Sequence, residues 1–119
     1  MDTPEKTMDM YIEATRRGDV EKLRSLFAPG ALMSGFFEGE FYSGSPDVFF
    51  DEVRDNPSPN ETGAEYSGEI THEEVVGQTA QMTMKEQGYL GADITNLFHL
   101  ACLDGQWLIL SKTYSDVSE

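Results

Sequence analysis

Basic residues are scarce in this sequence: eight Lys and Arg stand against 22 Asp and Glu, a formal net charge of −14 over 119 residues. A surface of that sign repels phosphate backbones and anionic lipid at long range, which argues against nucleic acid and membrane as partners. The acidity names no substrate and reads as a solubilising surface. Cysteine is scarcer still. Cys102 cannot form an internal disulfide, and one thiol with two histidines leaves no Cys/His zinc site. Neither histidine has a partner at metal-ligand spacing, so no metal and no cofactor is expected. Long apolar runs are missing too, and nothing reads as a bilayer-spanning segment. The opening MDTPEKTMDM is acidic and interrupted, without the basic stretch and apolar core of a secretory signal. A cytoplasmic protein is the resulting expectation.

What is present suits one domain over residues 1–119. The length is enough for a single core, apolar residues make up 39% and aromatics 11%, and Pro and Gly are scattered. Helical signals come first. Thr3 is an N-cap with Pro4 behind it, Met8, Tyr11, Ile12 and Thr15 share one face, and Gly18 stops the helix. Asp19 caps a second, short helix with Leu23, Leu26 and Phe27 inward, ended by Pro29-Gly30. Ala31 to Tyr42 reads as two brief strands around Glu38-Gly39. Ser45 or Asp47 then caps a third helix with Val48, Phe49 and Val53 inward, followed by the loop Asn56-Pro57-Ser58-Pro59-Asn60.

The remainder alternates with period two. Ala64 to Gln87 is a hairpin turning at Gly77, with Tyr66 and Ile70 on one strand and Ala80, Met82 and Met84 on the next. Ala92 to Tyr114 is a second hairpin turning at Asp104-Gly105, a strong two-residue turn signal. Helices first and a strand meander after predict the α+β class, with helices packed on one sheet face.

Three stretches in this order resemble the NTF2-like superfamily: YIEATRRGDVEKLRSLFAPGALM, ITHEEVVGQTAQMTM and TNLFHLACLDGQWLILSKTY. The first is similar to ketosteroid isomerases and SnoaL-like cyclases. The ending, with Asp104, Gly105, Trp107, Ile109 and Lys112, is similar to the lumazine-binding branch, a label that does not itself imply lumazine binding. The resemblance implies a cystatin-like cone: three helices against a strongly curved antiparallel sheet, a cavity at the wide end, and a homodimer through the outer sheet face.

In the related isomerases a Tyr and a carboxylic acid hold an oxyanion while an Asp moves the proton. The resemblance puts Tyr11 and Asn96 at the two oxyanion positions, where both side chains could donate to a carbonyl or enolate oxygen. For each, a structural role remains open: a core tyrosine, and an amide tying strand to helix. Gly35 stands at the base position, and Gly cannot take a proton, which disfavours steroid isomerase chemistry by that route. His72 and Asp93 are the candidate replacements, although His72, near a strand end among Glu69, Glu73 and Glu74, reads more readily as a solvated residue.

Alternation puts His99 with Leu97 and Ala101 on the outer face, opposite Asn96. On the last strand Leu108, Leu110, Lys112 and Tyr114 share a side, which the resemblance makes the cavity side. Lys112 is favoured to reach solvent at the strand end, since an ammonium in an apolar cavity needs an anionic partner. Trp107 either serves the interface or packs under a helix. Met33, Phe36, Met82, Met84 and Phe98, with Tyr89 at the mouth, complete an apolar lining around Tyr11, Asn96, Leu110 and Tyr114. The expected ligand is a small, largely apolar molecule carrying a carbonyl or similar acceptor. The alternatives are an isomerase, cyclase or dehydratase using Tyr11 and Asn96, and a dimeric interaction domain whose interior is filled by its own side chains.

Overall fold

The computed structural model describes residues 2–116. Helix α1 (Pro4–Arg17) begins where the Thr3 hydroxyl accepts from the Lys6 amide and ends at Gly18, whose φ of 71° only glycine adopts freely. Asp19 caps α2 (Val20–Ser25), which is shorter than the sequence suggests. Leu26 closes it, and Phe27, Pro29 and Gly30 belong instead to β1 (Phe27–Phe37), an 11-residue strand where a brief one was expected. Pro29-Gly30 sits at a register irregularity of that strand, an arrangement that spares proline a ladder bond.

The rest follows as β2 (Glu40–Gly44), α3 (Asp47–Asp55), a single turn α4 (Pro59–Thr62), then β3 (Ser67–Val76), β4 (Thr79–Tyr89), β5 (Ala92–Leu103) and β6 (Gln106–Ser115). The expected loop at residues 56–60 thus runs into a helical turn, held by a capping box in which Ser58 and Glu61 bond each other's backbone amides. Asp104-Gly105 turns with both φ positive, and Glu38-Gly39 and Leu90-Gly91 repeat that backbone, the left-handed pair that matches strand twist.

Six strands form one sheet in the order β2-β1-β6-β5-β4-β3. All neighbours are antiparallel except β1 and β6, which run parallel. Bulges interrupt the ladders at Ile70/His72, Glu86/Tyr89 and His99/Leu100, and such insertions bend strands and sharpen twist. The helices cover the concave face. Met8, Tyr11, Leu23, Met82, Met84, Phe98, Leu100 and Ile109 are fully buried between the layers, each contributing roughly 1.5–3 kcal/mol by the usual measure of apolar burial. Thr7 donates to the Trp107 carbonyl at 2.7 Å and ties α1 to β6, while the Trp107 ring is half-buried against the core. Among the described residues no helix is long and apolar enough to cross a membrane.

Candidate functional site: a buried lysine among carboxylates

Toward the end of the sheet covered by α3, the interior changes character. Alternation along β4 carries Ala80, Met82 and Met84 inward, and the next inward residue is Glu86, buried at 3% exposure. Opposite, on β5, Asn96 is inward, and on β6 so is Lys112. These three, with Glu52 of α3, line a cavity of about 70 Å³ completed by Met33, Phe37, Phe49, Tyr89, Ile94 and Tyr114.

The carboxylate of Glu86 is held from two sides. The Tyr66 hydroxyl donates to its Oε2, and Asn96 Nδ2 donates to its Oε1 at 2.8 Å. Asn96 Nδ2 also reaches the Met84 carbonyl at 3.4 Å. Two acceptors around one atom of the amide identify that atom as the nitrogen. The Asn96 donor group is therefore committed, and its buried Oδ1 has no hydrogen-bond partner among the described residues. Asn96 thus offers the cavity an acceptor, not the oxyanion donor expected of it. Across the cavity, the Tyr89 hydroxyl donates to Glu52 Oε1 at 2.7 Å, joining α3 to the end of β4.

Lys112 is the correction of greatest consequence. It does not reach solvent: 6% exposed, its Nζ lies 3.6 Å from the Phe49 ring centre and within 5.4 and 5.6 Å of the Tyr11 and Tyr114 rings. Such ring faces attract a cation. Among the described residues no carboxylate comes within 4.0 Å of it. Burial lowers the Lys112 pKa to about 8, and the charges of Glu86 and Glu52 oppose that fall without cancelling it. Burial also pushes the hydroxyls of Tyr11, Tyr66 and Tyr89 upward, reinforced by Glu86 beside Tyr11 and Tyr66 and by Glu52 beside Tyr89. All three remain protonated donors near neutral pH.

The side chains expected to line one cavity are distributed differently. Met33, Tyr89, Asn96 and Tyr114 line it. Tyr11 lies behind, stacked on Phe49 at 5.7 Å and edge-on to Phe98 at 5.1 Å, with its buried hydroxyl unpartnered among the described residues. Met82, Met84 and Phe98 belong to the packed core. Phe36 points outward against Phe41, because period two cannot put residues 33 and 36 on one face, and Phe37 takes the inward place. Leu110 also points outward. Leu100 pairs with Ile109 and His99 with Ser111, leaving Leu110 as the extra residue of a bulge that reverses alternation along β6.

Neither proposed base reaches the cavity. His72 is exposed beyond the β3 bulge, and Asp93 is exposed on a separate surface hollow, accepting from the Gly88 amide at 3.4 Å. The glycine at the isomerase base position has a packing reason: a Cβ on Gly35 would collide with the Tyr114 carbonyl and lie 2.7 Å from its ring. The Tyr114 ring occupies the space an aspartate would need. Val48 is half-exposed at the cavity edge, while Phe50 joins Phe49 and Val53 as a buried residue of α3.

A second hollow of about 240 Å³ lies beside the first, between α3, α4 and the β4–β5 turn. Glu52 and Tyr89 line both, so their hydrogen bond stands in the partition. Together the two spaces approach the lower end of the range for small-molecule pockets, about 300 Å³.

Comparison with known proteins places this geometry. The family model described as "Putative lumazine-binding" matches residues 2–115. The sequence is similar to that of the aldolase FrzH of a Cladobotryum species, 27% identical over 108 residues, covering 87% of this chain and 81% of that protein. In fold it is similar to an NTF2-like protein from Methylobacillus flagellatus KT, with a TM-score of 0.87 and 21% identity over 97% of this chain and 90% of that one. An NTF2-like protein from Shewanella baltica OS155 superposes with a TM-score of 0.84 at 23% identity, over 98% of this chain and 92% of its own.

Proposed function

We propose, since this chain belongs to the "Putative lumazine-binding" family of NTF2-like fold, that its cavity takes a small organic carbonyl compound and moves a proton at the carbon next to that carbonyl. One observation carries the reading: an ammonium and two carboxylates face a single, largely apolar cavity. The Lys112 cation can stabilise negative charge growing on a carbonyl oxygen in a site of low dielectric. Glu86 or Glu52 can accept the proton that an enolising carbon gives up. The likeness to an aldolase supports this chemistry, because aldol bond formation begins with the same proton removal.

The test is exchange of α-hydrogens for deuterium. Small aldehydes and ketones incubated with the protein in deuterated water should exchange faster than in buffer, and the acceleration should vanish when Glu86→Gln and Glu52→Gln are combined. Exchange at the buffer rate across a panel of such compounds would refute the reading.

A homodimer through the outer sheet face is the second reading. Leu32, Phe36, Leu97 and Leu110 project from three neighbouring strands and are 63, 50, 49 and 37% exposed, an apolar group of the kind that marks interaction surfaces. Sedimentation equilibrium should give a dimer that Leu97→Asp dissociates. A wild-type monomer at all concentrations would end this reading.

A further inference from the structure

The geometry points to a covalent step: we propose that Lys112 is an amine nucleophile that condenses with the carbonyl carbon of a small aldehyde or ketone. This rests on the reading of the cavity as a carbonyl site and assigns the lysine a bond where that reading needs only its charge.

Four observations converge on it. Lys112 stands on the cavity wall, and among the described residues it is the one lysine that does. It is clasped by the rings of Phe49, Tyr11 and Tyr114 and lacks a close ion pair among the described residues, so no carboxylate holds it as a fixed cation. Burial favours the neutral amine, the form that carries the attacking lone pair. Two carboxylates, Glu86 on β4 and Glu52 on α3, line the same small space and can pass protons. A lysine retained only for structure would be expected to sit in a close, hydrogen-bonded ion pair.

The step balances within these groups. The Nζ lone pair attacks the carbonyl carbon and the C–O π pair moves to oxygen. A carbinolamine results as a proton leaves nitrogen and one arrives on oxygen. Loss of the second N–H proton and departure of the hydroxyl as water form the C=N bond. Both amine hydrogens and the carbonyl oxygen thus leave as one water, with Glu86 or Glu52 relaying the protons. Protonated, the imine draws electrons from the neighbouring C–H. The carboxylate that removes this hydrogen leaves an enamine, the carbon nucleophile of aldol-type chemistry.

The neighbouring hollow gives room for a longer ligand. The 240 Å³ hollow lies on one side of the Glu52–Tyr89 hydrogen bond and the 70 Å³ cavity with Lys112 on the other. A short aldehyde fits the smaller space, and the remainder of a longer substrate, or a second carbonyl reactant, fits the larger one.

The experiment is reductive trapping. Full-length protein is incubated with propanal and cyanoborohydride near neutral pH, and modified lysines are mapped by peptide mass spectrometry. Binding without reductant is followed in parallel by chemical-shift changes. Lys112 should be alkylated roughly tenfold or more faster than the exposed Lys6, Lys22 and Lys85, since the neutral amine is more populated there. Excess acetone should slow that labelling and leave the surface sites unchanged. Saturable binding with Lys112 labelled no faster than the surface lysines would overturn the covalent step and leave the pocket reading standing. Neither binding nor labelling would overturn both. Lys112→Met provides the control, because fast trapping should be lost while the surface lysines label as before, and the change removes a buried charge without opening a void.

Discussion

Two halves of one concave sheet face meet within the span of a few residues. Toward one end, Met82, Phe98, Leu100 and Ile109 join Met8 and Leu23 in an apolar cluster whose buried Thr7 hydroxyl is satisfied by the Trp107 carbonyl. Toward the other, the same strands turn Glu86, Asn96 and Lys112 inward. The first half contributes stability through close packing. The second spends some of that stability to keep titratable groups out of water, where their proton affinities and nucleophilicity differ from those of surface residues. The difference is a matter of position along the strand: Met84 and Glu86 are two residues apart on β4, and Phe98 pairs directly with Lys112.

Breaking the apolar half should have the largest effect. Leu100→Ala should lower unfolding free energy by about 2–5 kcal/mol in chemical denaturation. In the polar half the sign should reverse. Lys112→Met replaces a buried charge that has no close ion pair among the described residues by an apolar chain of similar length, and should raise stability at neutral pH by about 1–3 kcal/mol while abolishing trapping. Lower stability of this variant would mean that the ammonium is satisfied by its ring contacts.

The pH dependence sharpens the same contrast. Lys112 has a pKa of about 8 in the folded chain against 10.5 when unperturbed. Between those values the unfolded chain binds the extra proton, so stability rises with pH from about 8 toward 10. The gain is on the order of 3 kcal/mol if the whole interval were crossed. Tyr11, Tyr66 and Tyr89 act with the opposite sign. Their folded pKa values lie above the ordinary tyrosine value of 10.0, so their contribution is present below that pH and is lost as pH climbs beyond it. Urea denaturation at a series of pH values should therefore show stability rising above pH 8 and turning down beyond about 10. Lys112→Met should keep the fall and lose the rise.

Gly35→Ala should cost about 1–3 kcal/mol through the collision with Tyr114, and Gly35→Asp should cost at least as much without creating a base. The smallest effect is expected at the partition. Tyr89→Phe removes the hydrogen bond to Glu52 and should cost about 0.5–1.5 kcal/mol, with faster trapping of bulky aldehydes than in the parent chain. Unchanged trapping rates would place the route of entry elsewhere.

Much of the scaffold was legible from local signals. Thr3, Gly18 and Asp19 mark helix ends by capping chemistry, and Asp104-Gly105 marks a hairpin by its need for positive φ. Residues governed by long-range geometry were less accessible. Glu86 could have been found, since it continues the inward alternation of Ala80, Met82 and Met84. Lys112 could be put on the cavity side by likeness but not known to be buried, because depth depends on α3 laying Phe49 over it. Leu110 was misplaced because a bulge leaves no mark in a run of alternating apolar residues. Glu52 and Tyr66 are recognisable only once α3 and the β3–β4 hairpin have been brought against the same carboxylate cluster.

Direct titration tests whether Lys112 faces the cavity as a desolvated amine. With 13C-labelled lysine, the Cε and Hε shifts of the four lysines can be followed from pH 6 to 11 and assigned by the loss of one signal in Lys112→Met. One resonance, that of Lys112, should titrate near 8 and should move when a small aldehyde is added. Four lysines titrating together near 10.5, with none responding to the aldehyde, would contradict the account.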